Sequence, residues 1–152
     1  MSTKIKSIAV VSARTILGLI YFVFGLNFFL HFLPTPPQTG GPAESFATAL
    51  FQSGYFFPFL KGLEVIFGGL LLTGTFVPLA LVVLMPVSLN VLLFHAFLTD
   101  NVTMGVLLVA LQLYLAWSYR DYYKPLFEPR SSASLRKSVN ERNLHQQIST
   151  HE

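Results

Sequence analysis

Lys61 and Glu64 stand three residues apart in an otherwise apolar segment, and their types and spacing suit an ion pair. Residues three apart lie on the same side of a helix, so the two side chains can meet. A charge in hydrocarbon costs several kcal/mol, and intramembrane charges therefore usually face other helices. We expect this pair to face the interior of a helical bundle, either as part of a site or as a structural clamp.

Five more polar side chains interrupt the apolar segments of the chain. At a rise of 1.5 Å per residue, all seven positions fall within about 15 Å of the same end of their helices. Ammonium, carboxyl, imidazole and amide groups together can bind a polar head group and transfer protons. The sequence therefore predicts a polar cavity in one half of a bundle. The residues predicted to line it are Asn27, His31, Lys61, Glu64, Asn90, His95 and Gln112.

Each of these residues also has a structural interpretation. The charges of Lys61 and Glu64 could simply neutralise each other and stabilise the packing of the helices. The amides could form interhelical hydrogen bonds worth about 1 kcal/mol each, and the histidines could reach the interface from the membrane edge. No catalytic residue and no metal site is assigned. The chain has no cysteine, which excludes disulfides, iron–sulfur clusters and thiolate metal sites.

The composition is that of a membrane protein. Apolar residues make up 53% of the 152 residues and charged residues only 11%, whereas soluble domains carry about 25% charged residues. Four apolar stretches have roughly the 18–22 residues that cross about 30 Å of hydrocarbon. We expect spans at about 15–33, 55–73, 77–98 and 102–119.

The connections between the spans indicate the fold. The second and third loops are so short that consecutive helices must be antiparallel neighbours. The first loop is rich in proline, and residues 43–51 within it have the pattern of a short amphipathic helix. The predicted fold is all-α, an up-down four-helix membrane bundle over residues 1–127. A Ser-, Gln- and charge-rich tail, 128–152, is expected to be disordered.

Lysine and arginine lie almost entirely at the two ends of the chain, and the loops after the first and third spans have none. Basic residues favour the cytoplasmic side, so both termini are expected to be cytoplasmic. We attribute the net charge of +3 to basic residues that set the membrane topology and contact lipid, and we expect no nucleic-acid partner.

Several motifs occur in an order typical of one membrane family. They are Gly25-Leu26-Asn27, His31-Phe32-Leu33-Pro34, Lys61-Gly62-Leu63-Glu64, Gly68-Gly69, Phe76-Val77-Pro78 and Leu115-Ala116-Trp117. Over about residues 10–127 the chain resembles the DoxX family of small four-span bacterial membrane proteins, most specifically in Lys-x-x-Glu followed by Gly-Gly. The resemblance implies a multi-pass protein of the bacterial inner membrane. Some relatives are subunits of thiosulfate:quinone oxidoreductase, and others are associated with membrane redox complexes.

Four functions are open at this point. The first is a redox-associated subunit whose polar cavity binds a quinone or a similar lipophile, because quinone carbonyls need donors such as His or Lys. The second is a scaffold or assembly factor whose first loop contacts a soluble or membrane oxidoreductase. The third is a small transporter. The fourth is a haem protein with His31 and His95 as axial ligands.

Overall fold

A computed structural model describes residues 3–34 and 40–124. Residues 35–39 of the first loop, and the tail 128–152 that was predicted to be disordered, lie outside these residues. The described part is helical and contains no strand. Its elements are α1 (Thr3–Leu30), α2 (Pro42–Gln52), α3 (Phe56–Thr73), α4 (Val77–Leu98), α5 (Thr103–Ser118) and a 3₁₀ turn (Arg120–Tyr122).

Three helices are long and apolar enough to cross a membrane: Ser7–Leu30 within α1, then α3 and α4. The fourth apolar helix, α5, has 16 residues, or about 24 Å of length. Large apolar side chains such as Ile66, Leu93 and Leu113 are exposed on these helices. Such surfaces suit a hydrocarbon solvent, so the chain is a helical membrane protein.

The helix bounds agree with the predicted spans within one residue for α3, α4 and α5. The short helix expected over residues 43–51 is present as α2. The helix that contains the first predicted span, α1, begins earlier and ends three residues sooner than that span, at Thr3 and Leu30. It ends early because His31 adopts a left-handed backbone conformation with φ 52°. The Asn27 side chain then accepts a hydrogen bond from the Leu33 N–H at 2.7 Å, outside the helix.

Close helix contacts depend on glycine. α1 packs along α3 and α4 along α5, while α3 also contacts α4, and α1 contacts α5. A Cβ atom on Gly68 of α3 would lie 2.7 Å from the backbone nitrogen of Phe22 in α1. A Cβ atom on Gly105 of α5 would lie 2.5 Å from the Cα atom of Leu92 in α4. Small residues let helix backbones approach this closely. The resulting van der Waals contact stabilises helix association in lipid, where the hydrophobic effect contributes little.

The core is a leucine cluster contributed by α1, α3, α4 and α5. Its fully buried members are Leu17, Leu71, Leu81, Leu84 and Leu115. By contrast, α2 has no buried residue and lies on α3 and α4. The chain enters and leaves α2 through Gly41 and Gly54, both at positive φ, where glycine is favoured.

Contacts divide the chain into two units, 1–120 and 121–152. In the second unit, the described residues include an exposed ion pair of Lys124 with Asp121 at 2.7 Å. The seven residues predicted to line a polar cavity all belong to the first unit.

Candidate functional site

The Lys61–Glu64 ion pair forms within one turn of α3. Lys61 Nζ lies 2.9 Å from Glu64 Oε1 and 2.8 Å from Oε2, so it donates to both carboxylate oxygens. Glu64 is only 4% exposed, whereas the Lys61 side chain is 21% exposed. A Cβ atom on Gly25 would lie 3.0 Å from Glu64 Cβ, so the α1 backbone packs closely on the base of this side chain. An ammonium group has three N–H donors, and one therefore remains for another partner.

A pocket of about 160 Å³ opens beside this ion pair, between α2, α3 and α4. Its polar lining consists of Lys61, Glu64, Asn90 and His95. The remaining lining is apolar: Phe46, Ala47, Leu50, Phe56, Phe57, Leu60, Val91 and Phe94. A few polar groups set in an apolar, aromatic wall are typical of a small-molecule site.

The His95 ring is oriented by its own helix. Its Nδ1 lies 2.8 Å from the carbonyl oxygen of Val91. A carbonyl only accepts, so Nδ1 carries the hydrogen and donates it. In the neutral imidazole, Nε2 is then an acceptor and a potential proton base. Within residues 3–34 and 40–124, Nε2 has no hydrogen-bond partner. The Phe94 ring packs edge-to-face against the His95 ring, with centroids 5.5 Å apart, and this contact also limits the motion of the imidazole.

Asn90 contributes a free amide to the same pocket. It is exposed, and its side chain makes no hydrogen bond to the described part of the chain. Asn90 and His95 are five residues apart, which places them about 140° apart around a straight helix. Both nevertheless line the pocket because α2 and α3 together cover a broad face of α4.

Three predicted cavity residues lie elsewhere. Asn27 holds the end of α1 through its bond to the Leu33 N–H. His31, the next residue after α1, is exposed and does not line the pocket. Gln112 is fully buried in the core. The structure thus brings together Lys61, Glu64, Asn90 and His95, on the flank of the helices under α2 rather than at their common centre.

A second polar cluster, in the core, joins α1, α4 and α5 and includes Tyr21, which no sequence pattern indicated. Gln112 Nε2 donates to the carbonyl oxygen of Leu81 at 2.6 Å. Gln112 Oε1 accepts from the hydroxyl of Ser88, which also bonds the hydroxyl of Tyr21. Because an amide oxygen only accepts, Ser88 must donate to Gln112 and Tyr21 must donate to Ser88. Every polar side chain in this cluster is satisfied, so its role is to fix how three helices meet.

The pocket has both donors and acceptors to offer a ligand. The third N–H of Lys61 and the NH₂ of Asn90 can bind a carbonyl oxygen. Nε2 of His95 can accept from a hydroxyl group. Phenylalanine side chains from α2, α3 and α4 surround these groups and can stack on a flat ring. The arrangement is therefore complementary to an aromatic or quinonoid head group carrying oxygen substituents.

Metal ligands are not gathered in the described residues: no group of three or more His, Asp or Glu there could hold an ion. No family model matches the chain, and no curated protein and no solved structure matches it either. Function is therefore inferred from the geometry of the pocket under α2.

Proposed function

We propose that this chain is an accessory membrane subunit of a redox system, of DoxX type, whose pocket under α2 binds the head group of a quinone or a similar lipophile. The observation that carries the proposal is the presence in one aromatic pocket of ion-paired Lys61 and the free Nε2 of His95. A quinone carbonyl accepts from Lys61, and a quinol hydroxyl donates to His95.

The size of the pocket supports a head group rather than a whole ligand. Sites for complete drug-sized molecules are roughly 300–1,000 Å³, whereas this pocket holds about 160 Å³. One ring fits such a space. In the proposal, the hydrocarbon tail of the ligand lies outside, along exposed apolar surface of the spans. No side chain lining the pocket is a redox group, so the electrons come from a partner oxidoreductase.

We also propose that α1, α3, α4 and α5 form an up-down four-span bundle in a bacterial inner membrane, with both termini cytoplasmic. The contacts of α1 with α3 and α5, and of α4 with the same two helices, support this arrangement. The distribution of lysine and arginine supports the orientation. α5 is short, and local bilayer thinning accommodates such a helix at modest cost. Next to its end, Arg120 lies 5.0 Å from the centre of the Trp117 ring, as suits the interface.

Ligand-induced stabilisation tests the quinone proposal. A short-tailed quinone is added to the protein in mild detergent, and thermal unfolding is followed by circular dichroism. A ligand at 100 times its dissociation constant stabilises the folded state by about 2.7 kcal/mol. For His95→Phe and Asn90→Leu, we expect the same stabilisation to need about ten times more quinone, because each substitution removes one polar contact to the ligand. Leu89→Ala, at an exposed position of α4 outside the pocket, is the matched control and should bind normally.

Two results would contradict the proposal. One is that quinone leaves the melting temperature of the wild-type protein unchanged. The other is that it stabilises the wild type and both pocket variants equally, which would place the ligand elsewhere.

A scaffold or assembly factor is the second candidate, favoured by α2. This helix has no buried residue, and Phe51 on it is 64% exposed. In this case α2 contacts a partner oxidoreductase directly. Phe51→Ser would then abolish co-purification with that defined partner, whereas His95→Phe and Asn90→Leu would leave it unchanged.

A haem site and a small transporter have less support. Haem ligation by two histidines needs both rings on one cofactor, but His31 does not line the pocket of His95. A small transporter has no specific observation in its favour.

A further inference from the structure

Arg14 of α1 presents a guanidinium with no partner among the described residues, near the end of α3 opposite to the pocket. Its side chain is half-buried, and its Nε atom is buried without a hydrogen-bond partner. The two terminal amino groups make no hydrogen bond to residues 3–34 or 40–124 either. They are not among the buried unpaired atoms, so they are open to a partner from outside the protein.

The guanidinium lies on Gly74, the residue that ends α3. A Cβ atom at Gly74 would be 2.3 Å from Arg14 Nη1 and 2.8 Å from Cζ, so the guanidinium packs directly against the backbone at this residue. Gly74 has a positive φ of 77°, and its N–H donates to the carbonyl oxygen of Leu70. These two features end α3. Thr73 and Thr75, on either side of Gly74, carry hydroxyl groups that bond each other at 2.9 Å. Two hydroxyl groups therefore flank the glycine on which the guanidinium lies.

No described carboxylate neutralises this cation. The two ion pairs of the described residues are Lys61–Glu64 and Lys124–Asp121, and neither includes Arg14. Glu64 lies ten residues before Gly74 along α3, or about 15 Å away. An arginine held beside a membrane span with open N–H groups attracts anions, and the anion abundant at that depth is a lipid phosphate.

We propose that Arg14 binds the phosphate of an anionic phospholipid at the corner of α1 and α3. The terminal N–H groups form a fork that matches two phosphate oxygens. The exposed Phe76 and Leu79, two and five residues after Gly74, offer apolar surface to the acyl chains. In the orientation with cytoplasmic termini, this lipid belongs to the cytoplasmic leaflet, where lipids of this charge are attracted to basic residues.

Native mass spectrometry of the full chain tests this site. The protein is transferred from mild detergent into mixed micelles with phosphatidylglycerol or phosphatidylcholine, and retained lipid is counted. We expect the wild type to retain phosphatidylglycerol about fivefold better, and Arg14→Gln to lose that preference. Arg120→Gln is the matched control: it removes an equal charge from an exposed arginine lying over Trp117, and the preference should persist.

Three outcomes would overturn the proposal. The first is a preference that survives Arg14→Gln, which would place the lipid elsewhere. The second is an equal loss in Arg14→Gln and Arg120→Gln, which would indicate diffuse charge attraction. The third is displacement of the bound lipid by inorganic phosphate at a concentration equal to that of the lipid phosphate groups, because a free anion would then be the ligand.

A second variant keeps the test decisive if Arg14→Gln fails to fold. Arg14→Lys retains the charge but lacks the planar fork of N–H donors that matches two phosphate oxygens. We expect it to lower phosphatidylglycerol retention about fivefold, with helicity by circular dichroism confirming the fold. Retention equal to that of the wild type would overturn the proposal.

Discussion

Ser88 connects two buried side chains that have no other side-chain partner in the described structure. Its hydroxyl donates to Gln112 and accepts from Tyr21, so one small residue satisfies groups on two other helices. A buried polar group left without a partner is costly, whereas one in a complete network helps to specify a unique arrangement. Single atoms in this cluster therefore influence the packing of whole helices.

Replacement of Ser88 by alanine should destabilise the protein. The Tyr21 hydroxyl and Gln112 Oε1 would both lose a hydrogen bond while buried, and we expect a loss of about 2 kcal/mol. Unfolding in mixed micelles with increasing dodecyl sulfate, followed by circular dichroism, measures it. Ser118→Ala is the control, because that exposed hydroxyl bonds only the Tyr114 carbonyl one turn earlier. A loss in Ser88→Ala no larger than in this control would disprove the structural role.

Glu64→Gln should also destabilise the protein, by about 2–3 kcal/mol. The substitution leaves the Lys61 ammonium half-buried without its counter-charge, and this loss lies at the low end for broken buried pairs because Lys61 is partly exposed. The same micelle titration measures the change. The double variant Lys61→Gln, Glu64→Gln should recover most of the stability, because it contains no isolated charge. If it is less stable than Glu64→Gln alone, the ion pair has another role.

The sequence predicted the ion pair but not the position of every polar residue. The Lys61–Glu64 contact follows from spacing alone, since both residues lie within one helical turn. Asn27 and His31 are also one turn apart, yet α1 ends between them at Leu30, and Asn27 bonds the Leu33 N–H beyond the helix. Residue spacing gives depth along a helix, but the side chain's direction depends on where the helix stops.

At the scale of elements, α1 and α3 are held together by a seam of glycines. Gly18 and Gly25 of α1 share one face, as their spacing of seven residues predicts, and α3 lies against that face. Gly68 of α3 fits between them, next to the Phe22 backbone. Because the backbones are so close, the seam also buries Glu64 against Gly25. The close helix contact and the position of the ion pair therefore depend on the same residues.

Gly68→Ala should cost about 2 kcal/mol of stability. Its Cβ atom would lie 2.7 Å from the Phe22 backbone nitrogen, so α1 and α3 would have to separate. Gly62→Ala in the same helix is the matched control, because nothing lies within 4 Å of its added Cβ atom. We expect that variant to be unchanged or more stable by up to about 1 kcal/mol, from helix propensity. Equal effects of the two substitutions in the micelle titration would contradict a role for Gly68 in close packing.

Helices were more predictable than the relationships between them. Long apolar runs bounded by Gly74-Thr75-Phe76 and by Thr99-Asp100-Asn101 determine the ends of α3, α4 and α5 to within a residue. The rotation of each helix is not determined in this way, because α4 and α5 are apolar on all sides. Ser88 faces the core while Asn90 faces the pocket, and only contacts with α2, α3 and α5 separate these two environments.

At the scale of the whole molecule, polar groups occur at three separate depths. The ion-pair pocket lies toward the end that carries Asp100, the Tyr21–Ser88–Gln112 cluster lies in the core, and Arg14 lies toward the other end beside Gly74. Between these places the spans are apolar. In the proposed orientation, the acidic residue Asp100 lies at the outer end and the basic residue Arg14 toward the cytoplasmic end.

The proposed orientation can be tested with single cysteines, because the chain has none of its own. A membrane-impermeant maleimide should label Asp100→Cys in intact cells. Ser7→Cys and Thr75→Cys should be labelled only after permeabilisation, since both lie toward the end expected in the cytoplasm. All three positions are exposed, so accessibility to the reagent depends on the membrane alone. The reverse pattern of labelling would contradict cytoplasmic termini.

The Lys61–Glu64 pair has a consequence for biosynthesis, because both partners belong to one helix. Their bond needs only a single turn of α3 and no contact from another segment. The two charges can therefore cancel as soon as this segment becomes helical in the insertion machinery. α3 can then partition into lipid as an electrically neutral unit before its neighbours arrive, which a pair shared between two spans could not do.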